Sequence, residues 1–256
     1  LSGLRISGVT KRYGGKTVVS ELSFTVEPGT VASLVGPNGC GKTTTLSMIA
    51  GLKTPERGRI SISGYDTVVS PLGARRNLAF VPDTPSGFEQ LTVREYMDLY
   101  RSLYRQPRVR YEERALLVLE AFELLERDET NLGELSHGTR RKVAMTAALA
   151  LDVPNILIDE PTAGLDPESV LVLRHLVRHL GRSGSAVLLA TQDLAFAERV
   201  CDRLSLVHNG RLVAEGSPAL LLERYHAKSI EEAYLAVTGI GRRIYDLEQR
   251  LETFPR

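Results

Sequence analysis

The segment Gly36-Pro-Asn-Gly-Cys-Gly-Lys42-Thr43 constrains this chain more than any other, because it follows the unbroken apolar run Val31–Val35 and opens a stretch of helix formers from Lys42 to Ala50. A strand that turns through a glycine-rich loop into a helix N-terminus is a cradle for phosphate. The candidate nucleotide-binding set is Gly36, Pro37, Asn38, Gly39, Cys40 and Gly41 in the loop, with Lys42, Thr43 and Thr44 at the helix start. In this pattern backbone N–H groups converge on phosphate oxygens, the lysine reaches the β- and γ-phosphates, and the Thr43 hydroxyl is placed to ligate Mg²⁺. A plain glycine-rich turn is the alternative, and the order of strand, motif and helix speaks against it. Cys40 lies among inward-pointing N–H groups, so its thiol is expected to ionise readily and to react with maleimides; the bland alternative is an inert thiol packed against the sheet.

Around this loop the chain alternates. Short β-rich runs (Leu4–Val9, Thr17–Ser20, Phe24–Val26) precede it. Strands at Ile156–Ile158, Ala186–Ala190, Leu204–Val207 and Arg211–Ala214 and helices at Pro167–Leu180 and Leu194–Val200 follow. Strands separated by helices predict a largely parallel sheet with its ligand at the strands' carboxyl ends. Between about Leu91 and Leu151 the period changes to three and four, through Val93, Met97 and Tyr100 and then Ala115, Leu116, Leu119 and Phe122, which predicts a helical insert. The fold class is therefore α/β: a phosphate-loop NTPase core with a mixed, largely parallel sheet, an N-terminal antiparallel β subdomain and an inserted α-helical subdomain. The expected division is a core of about 1–83 and 152–218, a helical subdomain of about 84–151 and a C-terminal helical extension of about 219–256.

Bulk properties narrow the setting. A net charge of +1 gives no basic excess for nucleic acid, and none is expected as a partner. Two cysteines suit a reducing compartment, and no signal segment or apolar run of ~18 residues is present, so action at a membrane would run through a partner.

Two further segments carry chemistry. Ile156-Leu-Ile-Asp159-Glu160-Pro161 is an apolar strand ending in two acids. Beside a phosphate loop, Asp159 is expected to hold Mg²⁺ and Glu160 to polarise the attacking water, although such a pair alone can be a plain strand-to-loop boundary. Between loop and acids lies Leu135-Ser136-His137-Gly138-Thr139-Arg140-Arg141, where Ser136 as N-cap and Gly138 behind it make a second anion site at a helix start.

This heptapeptide resembles the LSGGQ signature of ATP-binding cassette proteins. The resemblance extends over essentially the whole chain and implies further roles. Ala163-Gly164-Leu165-Asp166 becomes the D-loop, Tyr13 the aromatic that stacks on adenine, Asp83 the Q-loop residue near the metal and Gln192 the switch residue at the γ-phosphate. It also implies ATP and Mg²⁺ as cofactors and a head-to-tail pair of this chain or of this chain with a paralogue, in which Ser136, His137 and Gly138 act on the other copy's ATP. A separate integral membrane transporter subunit would complete the assembly and hold the chain at the inner face of the cell membrane, in the cytoplasm. Three residues depart from the pattern: Gln192 replaces the usual His, Asp83 the usual Gln or Glu, and His137 a glycine. These bear on turnover more than on binding.

Other features are weighed similarly. Tyr13 could pack on the first hairpin instead of stacking on a base. Arg101, Arg105, Arg108, Arg110 and Arg114 read as a solvated face rather than a lipid-facing one. Ser229 to Gly239 reads as a capped closing helix and resembles the ending of exporter ATPases, and Ile244, Leu247 and Leu251 suggest one more helix. An exporter ATPase is the leading function. A soluble cassette ATPase acting on ribosomes or DNA, a phosphate-loop kinase and a low-turnover regulatory subunit are the alternatives.

Overall fold

The computed structural model describes residues 3–241 together with 246, 247, 249 and 250. Two strands, β1 (Leu4–Tyr13) and β2 (Lys16–Val26), pair antiparallel and bury Leu4, Ile6 and Val9 against Val19, Leu22, Phe24 and Val26. The segments Thr17–Ser20 and Phe24–Val26 are thus one strand; the break in alternation marks an irregularity where Glu21 takes φ 51°. With β4 (Arg57–Ile62) and β5 (Tyr65–Asp66) they form the antiparallel sheet β2-β1-β4-β5.

The second sheet holds the site. Its order is β10-β9-β3-β8-β7-β6, from β3 (Val31–Val35), β6 (Leu78–Val81), β7 (Asn155–Asp159), β8 (Ala186–Thr191), β9 (Arg203–His208) and β10 (Arg211–Gly216). β3, β7 and β8 are buried along their whole length because helices cover both faces, as central parallel strands require. Only β10 runs antiparallel, joined to β9 by the tight turn at Asn209-Gly210. The chain leaves β3, β8, β7 and β6 at one edge, and that edge carries the phosphate loop, Gln192, the acid pair and Asp83.

Helix α1 (Lys42–Ile49) follows the loop, and α2 (Pro71–Arg76) precedes β6. The insert consists of α3 (Val93–Leu103), α4 (Arg108–Ala121) and α5 (His137–Leu149). Thr92 and Glu95 form a reciprocal capping box at the start of α3. Tyr96, Met97, Tyr111, Ala115, Leu119 and Phe122 bury in a core shared with the sheet, whereas Leu116, expected inside, is 55% exposed. In the basic stretch, Arg101 pairs with Asp98, Arg108 with Glu112 and Arg114 with Asp152.

After α6 (Pro167–Arg182) and α7 (Leu194–Val200), the chain closes with α8 (Pro218–Tyr225) and α9 (Ile230–Thr238). Helix α9 has the expected Ser229 cap and a left-handed Gly239 stop at φ 72°. Of the apolar trio read as a final helix, Ile244 and Leu251 lie outside the described residues, and Leu247 is exposed. Among the described residues, no helix is long and apolar enough to cross a membrane.

Candidate functional site

The phosphate loop is built by close backbone approach. Gly41 has φ 106°, and a Cβ there would lie 2.7 Å from the Val18 carbonyl oxygen, so only glycine lets the chain turn into α1. No side chain caps that helix. Lys42 is buried, and its ammonium donates to the carbonyls of Gly36 (2.8 Å) and Pro37 (3.2 Å) and pairs with Glu160 Oε1 at 3.3 Å. The loop's floor is shared with the C-terminal helix. A Cβ on Gly36 would lie 2.3 Å from the Val207 carbonyl oxygen, and that oxygen accepts from the Tyr234 hydroxyl at 3.2 Å, beside a 3.1 Å contact between the same hydroxyl and His208 Nδ1.

Cys40 corrects the expectation of a reactive thiol. It is 4% exposed, and burial pushes its pKa up, outweighing the opposing pull of the Lys42 charge and of backbone N–H groups. The thiol is packed and poorly ionised, and its place in the loop is steric.

Asp159 and Glu160 end β7 in different ways. Glu160 turns out of the strand at φ 45°, a left-handed conformation that costs a non-glycine residue on the order of 1 kcal/mol. The turn aims its carboxylate back across the sheet edge: Oε1 meets Lys42, and Oε2 accepts from the Gln192 N–H (3.2 Å) and the Thr191 hydroxyl (3.3 Å). The Gln192 side chain itself is exposed.

Asp159 is buried, and neither carboxylate oxygen has a hydrogen-bond partner. Burial pushes its pKa up to about 6; the neighbouring Thr43 hydroxyl pulls the other way, and the charges of Glu160 and Asp83 add to the rise. Two orphaned oxygens beside a threonine hydroxyl suit Mg²⁺, which binds through one or two protein groups and takes phosphate and water for the rest. No cluster of three or more His, Cys, Asp and Glu with metal-ligand placement occurs among the described residues. Asp83, expected near the metal, has its carboxylate engaged by Arg141 at 3.2 Å.

The raised pKa has a consequence for stability. An acid ionising near 6 when folded and near 4 when unfolded destabilises the folded state fully above pH 6 and not at all below pH 4. Asp159→Asn should therefore stabilise the metal-free protein at pH 7.5 by on the order of 2 kcal/mol, with a smaller gain at pH 5. Thermal melts in chelator at the two pH values check this; an unchanged or lowered midpoint at pH 7.5 contradicts it.

The signature residues gather with the D-loop. Ser136 caps α5, accepting from the Thr139 N–H at 3.2 Å. His137 is exposed at the first helical position, and Gly138 lies so close to the D-loop that a Cβ would sit 2.4 Å from the Gly164 carbonyl oxygen. Lys142 pairs with Asp166 at 2.9 Å, and Asp166 in turn caps α6 through Ser169. The Lys142 ammonium and the two bonds from Ser169 hold the Asp166 carboxyl well below the usual range. Tyr13 is 42% exposed, with the ammonium groups of Lys53 and Lys11 over its ring at 5.1 and 5.5 Å from the ring centre.

The largest omission of the sequence reading is Arg141. Within an Arg-Arg-Lys run it looks solvated, yet it is completely buried between the signature helix and the acid pair. The apolar run Val143–Leu151 that follows was the available signal, since it buries α5 all round.

Comparison with known proteins agrees with this arrangement. The family model described as ABC transporter matches residues 19–163. The chain is 36% identical over 226 residues to the Nod factor export ATP-binding protein I of Burkholderia orbicola (strain AU 1054), covering 88% of this chain and 74% of that one. It is 32% identical over 240 residues to the ABC-type transporter ATP-binding protein EcsA of Bacillus subtilis (strain 168), covering 93% and 97%. A solved ATP-binding subunit of an ABC transporter superposes with a TM-score of 0.88 at 34% identity, over 93% of this chain and all of that one. A nucleotide-free cassette superposes at 0.70 with 25% identity, over 85% and 92%. With this family match over more than half its length, the chain belongs to the ABC transporter family, as an ATP-binding, ATP-hydrolysing subunit that works with Mg²⁺.

Proposed function

We propose that this subunit powers export: two copies, or this chain and a paralogue, close head to tail over two ATP molecules and drive a separate membrane-spanning subunit. The observation that carries the pairing is the split of the machinery. Phosphate loop, Asp159, Glu160 and Gln192 share one sheet edge, while the second anion site at Ser136 and Gly138 is bound to the D-loop. The direction of transport rests on the closing helix at Ser229–Gly239 and on relatives named for Nod factor export. The membrane subunit would hold the protein at the inner face of the cell membrane, with cytoplasm on the other side.

In this reading the loop from Gly36 to Thr44 and Tyr13 bind the nucleotide. Thr43 and Asp159 hold Mg²⁺, with Asp83 acting at one remove, and the ion offsets phosphate charge when bound. Glu160 polarises the attacking water, Gln192 donates to the γ-phosphate, and Ser136, His137 and Gly138 approach that phosphate from the other copy, flanked by Asp166. A division into a core of about 1–83 and 152–218, a helical part of about 84–151 and an extension beyond 219 follows from these roles.

Complementation tests the pairing. Lys42→Ala and Ser136→Arg variants, each inactive alone, should recover about a quarter of wild-type ATPase in an equal mixture, because about half of the pairs are then mixed and each of those keeps one of its two composite sites intact. No recovery at any ratio contradicts the head-to-tail site. Gln192→His should raise turnover by about threefold or more by strengthening one hydrogen bond to γ-phosphate. Unchanged or slower hydrolysis across pH 6–8 in steady-state assays would remove Gln192 from that role.

A further inference from the structure

Arg141 is the largest side chain with no exposed surface, and it is committed chiefly to main-chain oxygens. Its Nη1 donates to the Asp83 carbonyl and, at 3.2 Å, to Asp83 Oδ1. Its Nη2 donates to the Asp159 carbonyl at 2.5 Å and to the Glu160 carbonyl. The reason lies in the sheet. β6 and β7 run side by side, and their pairing ends with Val81 opposite Ile158; the carbonyls of Asp83, Asp159 and Glu160 that meet Arg141 lie just beyond that end. A planar guanidinium, always charged and carrying donors at fixed angles, can take up both strand ends at once.

The peptide it grips is a demanding one. Glu160 holds a left-handed φ of 45°, a conformation that persists only where the surroundings over-determine it. Its N–H is anchored on the Ala190 carbonyl at 2.7 Å, and its own carbonyl accepts from the Ala163 N–H at 3.1 Å and from Arg141. Of these contacts, the one from Arg141 arises in the helical insert. Arg141 stands five residues after Ser136, on the helix that also presents Gly138 to the D-loop.

We infer that Arg141 is a positioning residue that ties the placement of the signature helix α5 to the aim of the Glu160 carboxylate. It acts through the main-chain oxygens it grips, with no surface of its own open to solvent. A small displacement of α5 against the sheet carries Nη2 with it, and the Asp159–Glu160 peptide follows. Closure at the signature and readiness of the carboxylate thereby become one event. This rests on the reading of Glu160 as the group that polarises water.

Two substitutions test it. Arg141→Met keeps the approximate volume and removes every donor; Arg141→Lys keeps charge and a donor but loses the fork that reaches both strands. Steady-state ATPase, titration with a fluorescent ATP analogue and circular-dichroism melts are measured on both. For Arg141→Lys, kcat should fall about 30-fold or more while KM and analogue affinity stay within about threefold, since a misaimed group loses rate rather than binding. Arg141→Met should fall further; if it does not fold, Arg141→Lys decides. Wild-type kcat in folded Arg141→Lys overturns the inference, as does a loss that only tracks the unfolded fraction or appears equally in affinity. Glu160→Gln is run alongside. Should it turn over at the wild-type rate, the reading of Glu160 fails; an inactive Glu160→Gln beside a fully active Arg141→Lys defeats the positioning role alone.

Discussion

Replacing Glu160 by glutamine should lower kcat by about a thousandfold while ATP binding survives, and the protein should then accumulate as a nucleotide-filled dimer. The magnitude is that of losing a positioned general base. The geometry explains why binding persists: Glu160 meets Lys42 at 3.3 Å, but Lys42 keeps the carbonyls of Gly36 and Pro37 at 2.8 and 3.2 Å, and glutamine preserves the side chain's shape. The Gln192 N–H and Thr191 hydroxyl can still bond an amide oxygen, so the left-handed turn at residue 160 retains its contacts. Light scattering after size exclusion in saturating Mg-ATP reads the dimer. A monomer, or hydrolysis within tenfold of wild type, would count against the assignment.

The second large effect is on the ground state. Lys42→Ala should weaken Mg-ATP binding by at least about a hundredfold, the scale of one or two charge-assisted hydrogen bonds lost in a buried site. Its ammonium is nearly sealed from water, so no solvent cation substitutes for it. The variant should still fold. The loop carbonyls it leaves can turn to water, and the Glu160 carboxylate retains two donors. Equilibrium binding with a fluorescent analogue reads the loss directly, and near-native affinity would contradict the role of Lys42. The two substitutions thus divide the cycle, one removing entry and the other exit.

What could be read from the sequence follows from how local each requirement is. The phosphate loop was legible because its backbone demands glycine: Gly41 at φ 106° admits no side chain. The acid pair was legible as the abrupt end of an apolar run, and α9 because Ser229 and Gly239 bracket it with capping chemistry. β6 and helix α2 were not read. β6 has four residues, too few to show a period, and α2 carries Pro71 and Gly73, which read as turn. Cys40 was misread and Arg141 overlooked for one reason. Charge and helix potential are local and visible in a sequence, whereas burial is set by elements distant in the chain. For Cys40 it reverses the sign of the expected shift, and for Arg141 it turns a surface-looking cation into the tie between two strand ends.

The Tyr234 hydroxyl and Gly36 both lie against the same Val207 oxygen. Helix α9 is therefore a strut beneath the phosphate loop, although it lies far from that loop in the chain. The tail cannot be exchanged freely, because a graft ending at Gly216 would leave the floor of the phosphate loop without one of its supports.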